Sequence, residues 1–272
     1  RKLGFVEMMG AFGDDSLHPI KPNDQIPDLN KEFRHFYKGI WIANGHYDFK
    51  RGNEVTFTGT SEQSVNKASE LFSGNFLGVV CDVREKKQIE MAKDQALNKF
   101  GNIDIWVNNA GVDQERLDVS DLSEAEIKRV IDINVTGMMV GTSVALSLMK
   151  NQAYGHVYNM EGLGSNNMTI PKTLIYGSSK HLLTYFSKGC NKELKAYKNV
   201  WVGTLSPGMV FTDLLKHDLG EDGAKIARIL GNKVEEVTPF LVKKMLKGKK
   251  RIVWLTNLKV MGRFMFSFMK KH

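Results

Sequence analysis

Cysteine is nearly absent from this chain: Cys81 and Cys190 are the only two among 272 residues, and they form no CxxC pair. Such usage excludes a disulfide framework and zinc-ribbon spacing, and it fits a reducing compartment. An aromatic RNA-reading motif and zinc-finger spacing are missing too, so nucleic acid is not an expected partner. No apolar run is expected to reach the length of a membrane span. The chain opens on Arg1 rather than on methionine, so a processed or trimmed product is expected.

What remains is ordinary globular composition. With 42% hydrophobic and 25% charged residues, 272 residues suffice for one α/β domain with a large core. The balance of 38 basic to 30 acidic residues, +8, favours anionic partners such as nucleotide phosphates, an acidic membrane face or an acidic protein.

Residues 1–31 carry Gly, Pro and Asp in the run GDDSLHPIKPNDQIPDLN and are expected to be an extended arm. From Gly52 the rhythm changes. Strands are expected over Glu54–Thr58, Phe76–Cys81 and Ile103–Val107, alternating with helices over Ser61–Phe72 and Lys86–Phe100. Such alternation implies a parallel sheet. Ser123 and Glu126 form a capping box that opens a helix leading to Asn134. Val135–Lys150 continues as an apolar helix, buried or packed on another subunit. Further strands are expected at Val157–Met160, Val200–Leu205 and Ile252–Leu255. One more at the start of a 32–257 domain makes seven. Residues 258–272 read as a tail helix: Val260, Met261, Phe264, Met265, Phe268 and Met269 recur at helical spacing, with Lys259, Arg263, Lys270 and Lys271 elsewhere round it. Its partner is either the domain core or a membrane or protein surface.

The chemistry concentrates between His156 and Lys180. Tyr176 and Lys180 lie four apart, so one helix face presents both. The ammonium is expected to lower the phenol's pKa and ready it for proton exchange. Ser165 follows a turn containing Gly162 and Gly164, placed to hydrogen-bond the same substrate oxygen. Alone, a YxxxK pair is a weak signal. Order strengthens it: NNAG (Asn108–Gly111) after a strand, Asn134, Ser165, Tyr176, Lys180, then SPGMVFT (Ser206–Thr212). In that order the chain resembles the short-chain dehydrogenase/reductase family from about Gly52 to the C-terminus. The stretches YNMEGLGS, YGSSK and SPGMVFTDLL, with the serine eleven rather than thirteen residues before the tyrosine, resemble the plastid chlorophyll b reductases in particular.

The resemblance implies an α/β, Rossmann-like doubly wound sheet of about seven strands with helices on both faces, and reduction of a formyl group on a chlorophyll-like ring in the chloroplast. By it, Tyr176 donates a proton to the carbonyl oxygen, Ser165 orients that oxygen, Lys180 tunes the phenol and holds the nicotinamide ribose, and Asn134 anchors a relay water. Cofactor contacts are implied for Lys38, Gly39, Thr60, Asp82, Val83, Asn109, Ala110, Gly111, Lys180, Pro207 and Thr212. Asp82 reads alternatively as a helix N-cap. The strand ending Thr58-Gly59-Thr60 offers no carboxylate to repel a 2′-phosphate, and Lys38, Lys50 and Arg51 add positive charge, so NADPH is expected over NADH.

The departure lies at the N-terminus. Against the family's TGxxxGxG turn only Gly39 matches; His35 and Trp41 stand for the other two glycines. The preceding strand is either EFRHFY (Glu32–Tyr37) or Gly39–Ala43, and the second choice leaves seven residues, His46–Gly52, too few for a parallel crossover. The N-terminal βα unit is therefore atypical, and NADPH binding is expected to be weak or lost. Two readings follow: a reductase of a hydrophobic carbonyl, or a non-catalytic subunit of a larger, membrane-associated assembly. A homo-oligomer is compatible with either.

Overall fold

The computed structural model describes residues 4–8, 54–70, 75–211 and 220–269. Strand and helix alternate along them: β1 Gly4–Met8, β2 Glu54–Gly59, α1 Glu62–Ser69, β3 Phe76–Val80, α2 Lys86–Phe100, β4 Ile105–Asn108 and α3 Glu124–Ile131 come first. After a π-helical segment, Asp132–Gly137, follow α4 Met138–Gln152, β5 Gly155–Met160, α5 Leu174–Glu193 and β6 Val200–Ser206. The chain ends with α6 Gly220–Leu230, α7 Val234–Leu246, β7 Arg251–Val253 and α8 Asn257–Met269. All pairings in the seven-stranded sheet are parallel, in the order β3-β2-β1-β4-β5-β6-β7.

Both faces of the sheet are covered, so its central strands are apolar without alternation. Neighbours along a strand feed different cores. Trp106, Val157 and Val202 join Ile89, Ala92, Val144 and Met149 on one side. Val107, Tyr158 and Leu205 join Val237, Leu241 and Met245 on the other. This is the doubly wound α/β architecture expected.

The first strand corrects the expected arm. Gly4–Met8 lies at the centre of the sheet, paired with β2 from Gly4↔Glu54 and with β4 from Phe5↔Ile105. Gly4 donates its N–H to Asp104 Oδ2 at 2.8 Å and accepts from Asp104 N at 2.8 Å. A side chain at Gly4 would stand 2.2 Å from the Asn102 carbonyl oxygen. Starting at Gly4, the chain has ample length for a crossover to β2, which removes the difficulty the shorter assignment met. The alternative strand segments, with His35, Trp41, Lys38, Gly39, Lys50 and Arg51, lie outside the described residues.

A second correction concerns Glu124–Gln152. This continuous helical run has a stretch of mean hydropathy 1.4, apolar enough by length and composition to cross a membrane. Here it packs on the sheet: Val144, Ala145 and Met149 are buried in the first core. Its small residues serve closeness. Gly141 faces Asn108 so tightly that a Cβ would meet the Asn108 Oδ1 at 2.3 Å.

The strand order reverses between β1 and β4, which is where an open parallel sheet leaves a crevice beyond its carboxyl ends. Asn109 and Ala110 donate their N–H groups to Met8 O at 3.2 and 2.9 Å, folding the turn after β4 across that crevice.

Candidate active site

The site is built on α5. No side chain of the preceding residues caps this helix; instead the buried Gln114 accepts from Tyr176 N at 2.9 Å through its Oε1, fixing the first turn to the loop after β4. Tyr176 and Lys180 are both buried on one face of the helix, with Lys180 Nζ 5.8 Å from the centre of the phenol ring. The ammonium donates to Met160 O at 3.3 Å, at the carboxyl end of β5.

Three glycines shape the ground around this pair. A Cβ at Gly162 would stand 2.6 Å from the Tyr176 phenol oxygen and 3.1 Å from Lys180 Cγ. A Cβ at Gly111 would stand 3.3 Å from Lys180 Nζ and 3.5 Å from Asn134 Oδ1. Gly164, at φ +98°, takes the left-handed backbone that glycine alone adopts at no steric cost, and a Cβ there would lie 2.4 Å from Gly177 O. Loop and helix meet there as bare backbone.

Ser165 differs from expectation. Its Oγ accepts from Gly162 N at 3.0 Å and donates to Lys180 O at 3.1 Å. A hydroxyl has one proton to give, and this one is given to the helix backbone rather than towards a substrate. The residue whose position abuts the phenol is Gly162. The turn between them explains the difference: the positive φ of Gly164 sends the chain back over α5 before Ser165 is reached.

Asn134 is likewise a brace. Its Oδ1 accepts from Val112 N at 2.8 Å, and its Nδ2 donates to Val112 O at 2.9 Å and Ser179 Oγ at 3.1 Å. Ser179 in turn donates to Tyr176 O at 2.6 Å. The π-helical turn carrying Asn134 thus ties the NNAG turn to the helix bearing Tyr176. Beneath lies a buried polar chain. Trp106 Nε1 donates to Asn108 Oδ1 at 2.8 Å, Asn108 Nδ2 to Thr142 Oγ1 at 2.9 Å and to Asn159 Oδ1 at 2.8 Å, and Asn159 Nδ2 to Ser187 Oγ at 3.0 Å.

Electrostatics also depart from the simple expectation. Burial, with a smaller contribution from the Asp113 charge, pushes the Tyr176 phenol above its ordinary range rather than below it. Burial lowers Lys180 from 10.5 to about 8, against the opposing pull of Asp113. Desolvation penalises the phenolate and the ammonium alike, and here it outweighs the opposing charges, Arg116 for the phenol and Asp113 for the ammonium. The phenol is therefore held protonated, the form in which it can give a proton. Asp113 is itself engaged by Arg116 Nη2 at 2.5 Å.

The remaining expected contacts scatter. Asp82 has its carboxylate held low by hydrogen bonds from Arg84, whose Nη2 lies 2.6 Å away, and its Oδ1 accepts from Arg84 N at 2.9 Å. It does not cap α2, whose N-cap is Glu85. Val83 is buried against Gly137, where a Cβ would meet it at 2.8 Å. Thr60 is exposed beyond β2, Pro207 is buried beyond β6, and Thr212, Lys38 and Gly39 lie outside the described residues. Sequence reasoning missed Gln114, Asp113 and Gly162. The available signal was the cluster Gly162, Gly164 and Gly177 around the tyrosine, with polar Asn108 and Asn159 set in apolar strands.

A nicotinamide dinucleotide fits the part of the site that is described. Lys180 Nζ spends one donor on Met160 O, leaving two of its three N–H groups beside the bare face of Gly111, as sugar hydroxyls require.

The chain is 33% identical over 227 residues to "Chlorophyll(ide) b reductase NOL, chloroplastic" of Oryza sativa subsp. japonica, covering 80% of this chain and 66% of that one. It is 30% identical over 215 residues to "Probable chlorophyll(ide) b reductase NYC1, chloroplastic" of Arabidopsis thaliana, covering 78% of this chain and 43% of that one. It thus spans under two thirds of either relative. Among solved structures, "ElxO with NADP Bound" superposes with a TM-score of 0.72 at 20% identity, covering 93% of this chain and 96% of that one. The 3-ketoacyl-(acyl-carrier-protein) reductase from Brucella melitensis complexed with NADH does so with 0.71 at 18%, over 95% and 93%. At those identities the likeness speaks for the fold. With the "short chain dehydrogenase" family model matching residues 39–222, the Tyr176–Lys180 pair stands where its sequence order predicted, and the chain belongs to the short-chain dehydrogenase/reductase family.

Proposed function

We propose that this protein reduces a carbonyl group at Tyr176 with NADPH, and that its substrate is a formyl group on a chlorophyll-like tetrapyrrole in the plastid. The observation that carries the reading is a protonated, buried phenol beside a buried ammonium, opened to a ligand by Gly111 and Gly162. The bound cofactor supplies a hydride to the carbonyl carbon. Tyr176 holds a proton ready for the carbonyl oxygen. Lys180 holds the ribose hydroxyls with its free donors and sets its positive charge beside the phenol, offsetting negative charge there as the proton leaves. Gln114, Asn134 and Ser165 keep α5, the NNAG turn and the Gly162 loop in fixed relation, so the phenol meets the substrate without rearrangement.

Substrate class is supported by the relatives' names and by the apolar rim beside the start of α5. Leu117, Val119, Met168, Ile170 and Leu174 are all exposed there. Val119, Ile170, Pro171 and Leu174 line a shallow cleft of about 380 Å³. A flat, largely apolar ring suits such a wall better than a small polar aldehyde does. The plastid assignment rests on the relatives described as chloroplastic.

The test is NADPH-dependent turnover of a formyl-bearing tetrapyrrole, followed by absorbance, beside a small aldehyde and with fluorescence titration of both cofactors. Turnover of the tetrapyrrole with NADPH preferred over NADH is expected. Binding of neither cofactor and turnover of neither substrate would instead favour the non-catalytic subunit, a reading supported by His35 and Trp41 standing for two of the three glycines of the family's turn.

A further inference from the structure

The helix α8 turns one side to the rest of the protein: Val260, Arg263 and Phe264 are half-buried, while Lys259 is exposed. Arg263 donates to Leu230 O at 3.0 Å through Nη1 and to Asn232 Oδ1 at 2.6 Å through Nη2, capping the end of α6. Lys259 Nζ sits 3.9 Å above the Trp254 ring. With these anchors set, the outward face carries Leu258, Met261, Met265, Phe266 and Met269, which are 81, 61, 64, 65 and 73% exposed. Positions 258, 261, 265 and 269 form one stripe along the helix. A stripe of that kind marks an interaction surface.

Charge identifies what covers it. From Val237 to His272 the sequence holds eight lysines and two arginines and no aspartate or glutamate, more positive charge than the whole chain's +8. Lys243, Lys247, Lys249, Lys250 and Arg251 in this stretch are exposed. A second copy docked about a two-fold axis would bring this basic end against itself. An anionic bilayer takes both features at once: methionine and phenylalanine enter the acyl boundary, and lysines meet the headgroups. We infer that α8 and the basic end around it dock the protein onto an anionic membrane surface, with the stripe Leu258, Met261, Met265 and Met269 inserted.

Co-sedimentation with vesicles tests this. The full chain is expected to pellet with vesicles of phosphatidylcholine and phosphatidylglycerol at 0.1 M NaCl, and not with phosphatidylcholine alone or at 0.5 M NaCl, where charge is screened. Met261→Glu with Met265→Glu is expected to cut binding roughly tenfold or more, with the melting temperature unchanged because both side chains already face solvent. Absence of binding, equal binding to neutral vesicles, or binding unaffected by the double substitution would overturn the inference. So would a dimer in analytical ultracentrifugation that the same substitutions dissolve, since a second copy would then own the face.

Discussion

Substituting Gly162 by alanine separates the arrangement described from one in which Ser165 faces the substrate. The added Cβ would stand 2.6 Å from the Tyr176 oxygen, so the phenol must retreat by about 0.8 Å to reach the 3.4 Å of ordinary contact. Gly162 is not among the glycines at positive φ, so its backbone accepts alanine without strain. Overpacking costs about 1–3 kcal/mol, partly offset by about 0.4–1 kcal/mol from the stiffer unfolded chain. The net loss of stability is thus expected to stay under about 3 kcal/mol, visible as a modest drop in melting temperature. Catalysis should suffer far more, because a misplacement near 1 Å typically costs about 10²-fold. The measurement is kcat for the formyl substrate together with thermal melting and NADPH titration. Ser165→Ala is the companion: it removes a brace worth about 0.5–1.5 kcal/mol and leaves the phenol oxygen where it was. Should Gly162→Ala keep kcat within threefold while Ser165→Ala loses a hundredfold, the geometric argument fails and the hydroxyl of Ser165 is the reacting group's neighbour after all.

Tyr176→Phe removes one buried hydroxyl and is expected to lower turnover by about 10²- to 10⁴-fold while cofactor titration and melting remain close to wild type; retained turnover would exclude the phenol as the acid. Lys180 carries a sign that stability measurements can check. Its folded pKa lies near 8, below the ordinary 10.5, so between those values the unfolded state binds more protons and stability rises with pH. Replacing it by methionine should therefore stabilise the fold near pH 7 by an amount on the order of 3 kcal/mol at most, and the gain should shrink as pH climbs towards 10. Urea denaturation at both pH values reads this, and a Lys180→Met protein that is less stable at pH 7 would contradict the buried-charge argument.

Six of the seven strands were legible because parallel strands buried on both faces are short apolar runs between turns. The helix α2 was read to its ends, since Asp82–Glu85 turns ahead of it and Gly101, at φ 85°, closes it. Gly4–Met8 was not legible. Its five residues become a strand by pairing with segments about fifty and a hundred positions away, and the Gly, Pro and Asp that follow argue locally for a loop. The tyrosine–lysine pair was legible because a helix fixes four-residue spacing. Ser165 was not, because a left-handed glycine and a loop fix no phase. Nor did the sequence show that burial would govern Tyr176 and raise its phenol: spacing places charges together without saying how dry they are.

The bare contact between Gly164 and Gly177 reaches beyond the site itself. Because loop and helix touch there with no side chain between them, this contact works as a fulcrum whose position no rotamer can adjust. Everything before it, including Gly162 over the phenol, is pinned. Beyond it Asn167 still donates to Gly164 O at 3.0 Å, and from there Thr169, Ile170 and Pro171 form one wall of the cleft. Lengthening, shortening or rewriting that wall would then alter which ring systems fit while the proton-giving group stays put, so that substrate range and catalytic competence can be changed separately within this one chain.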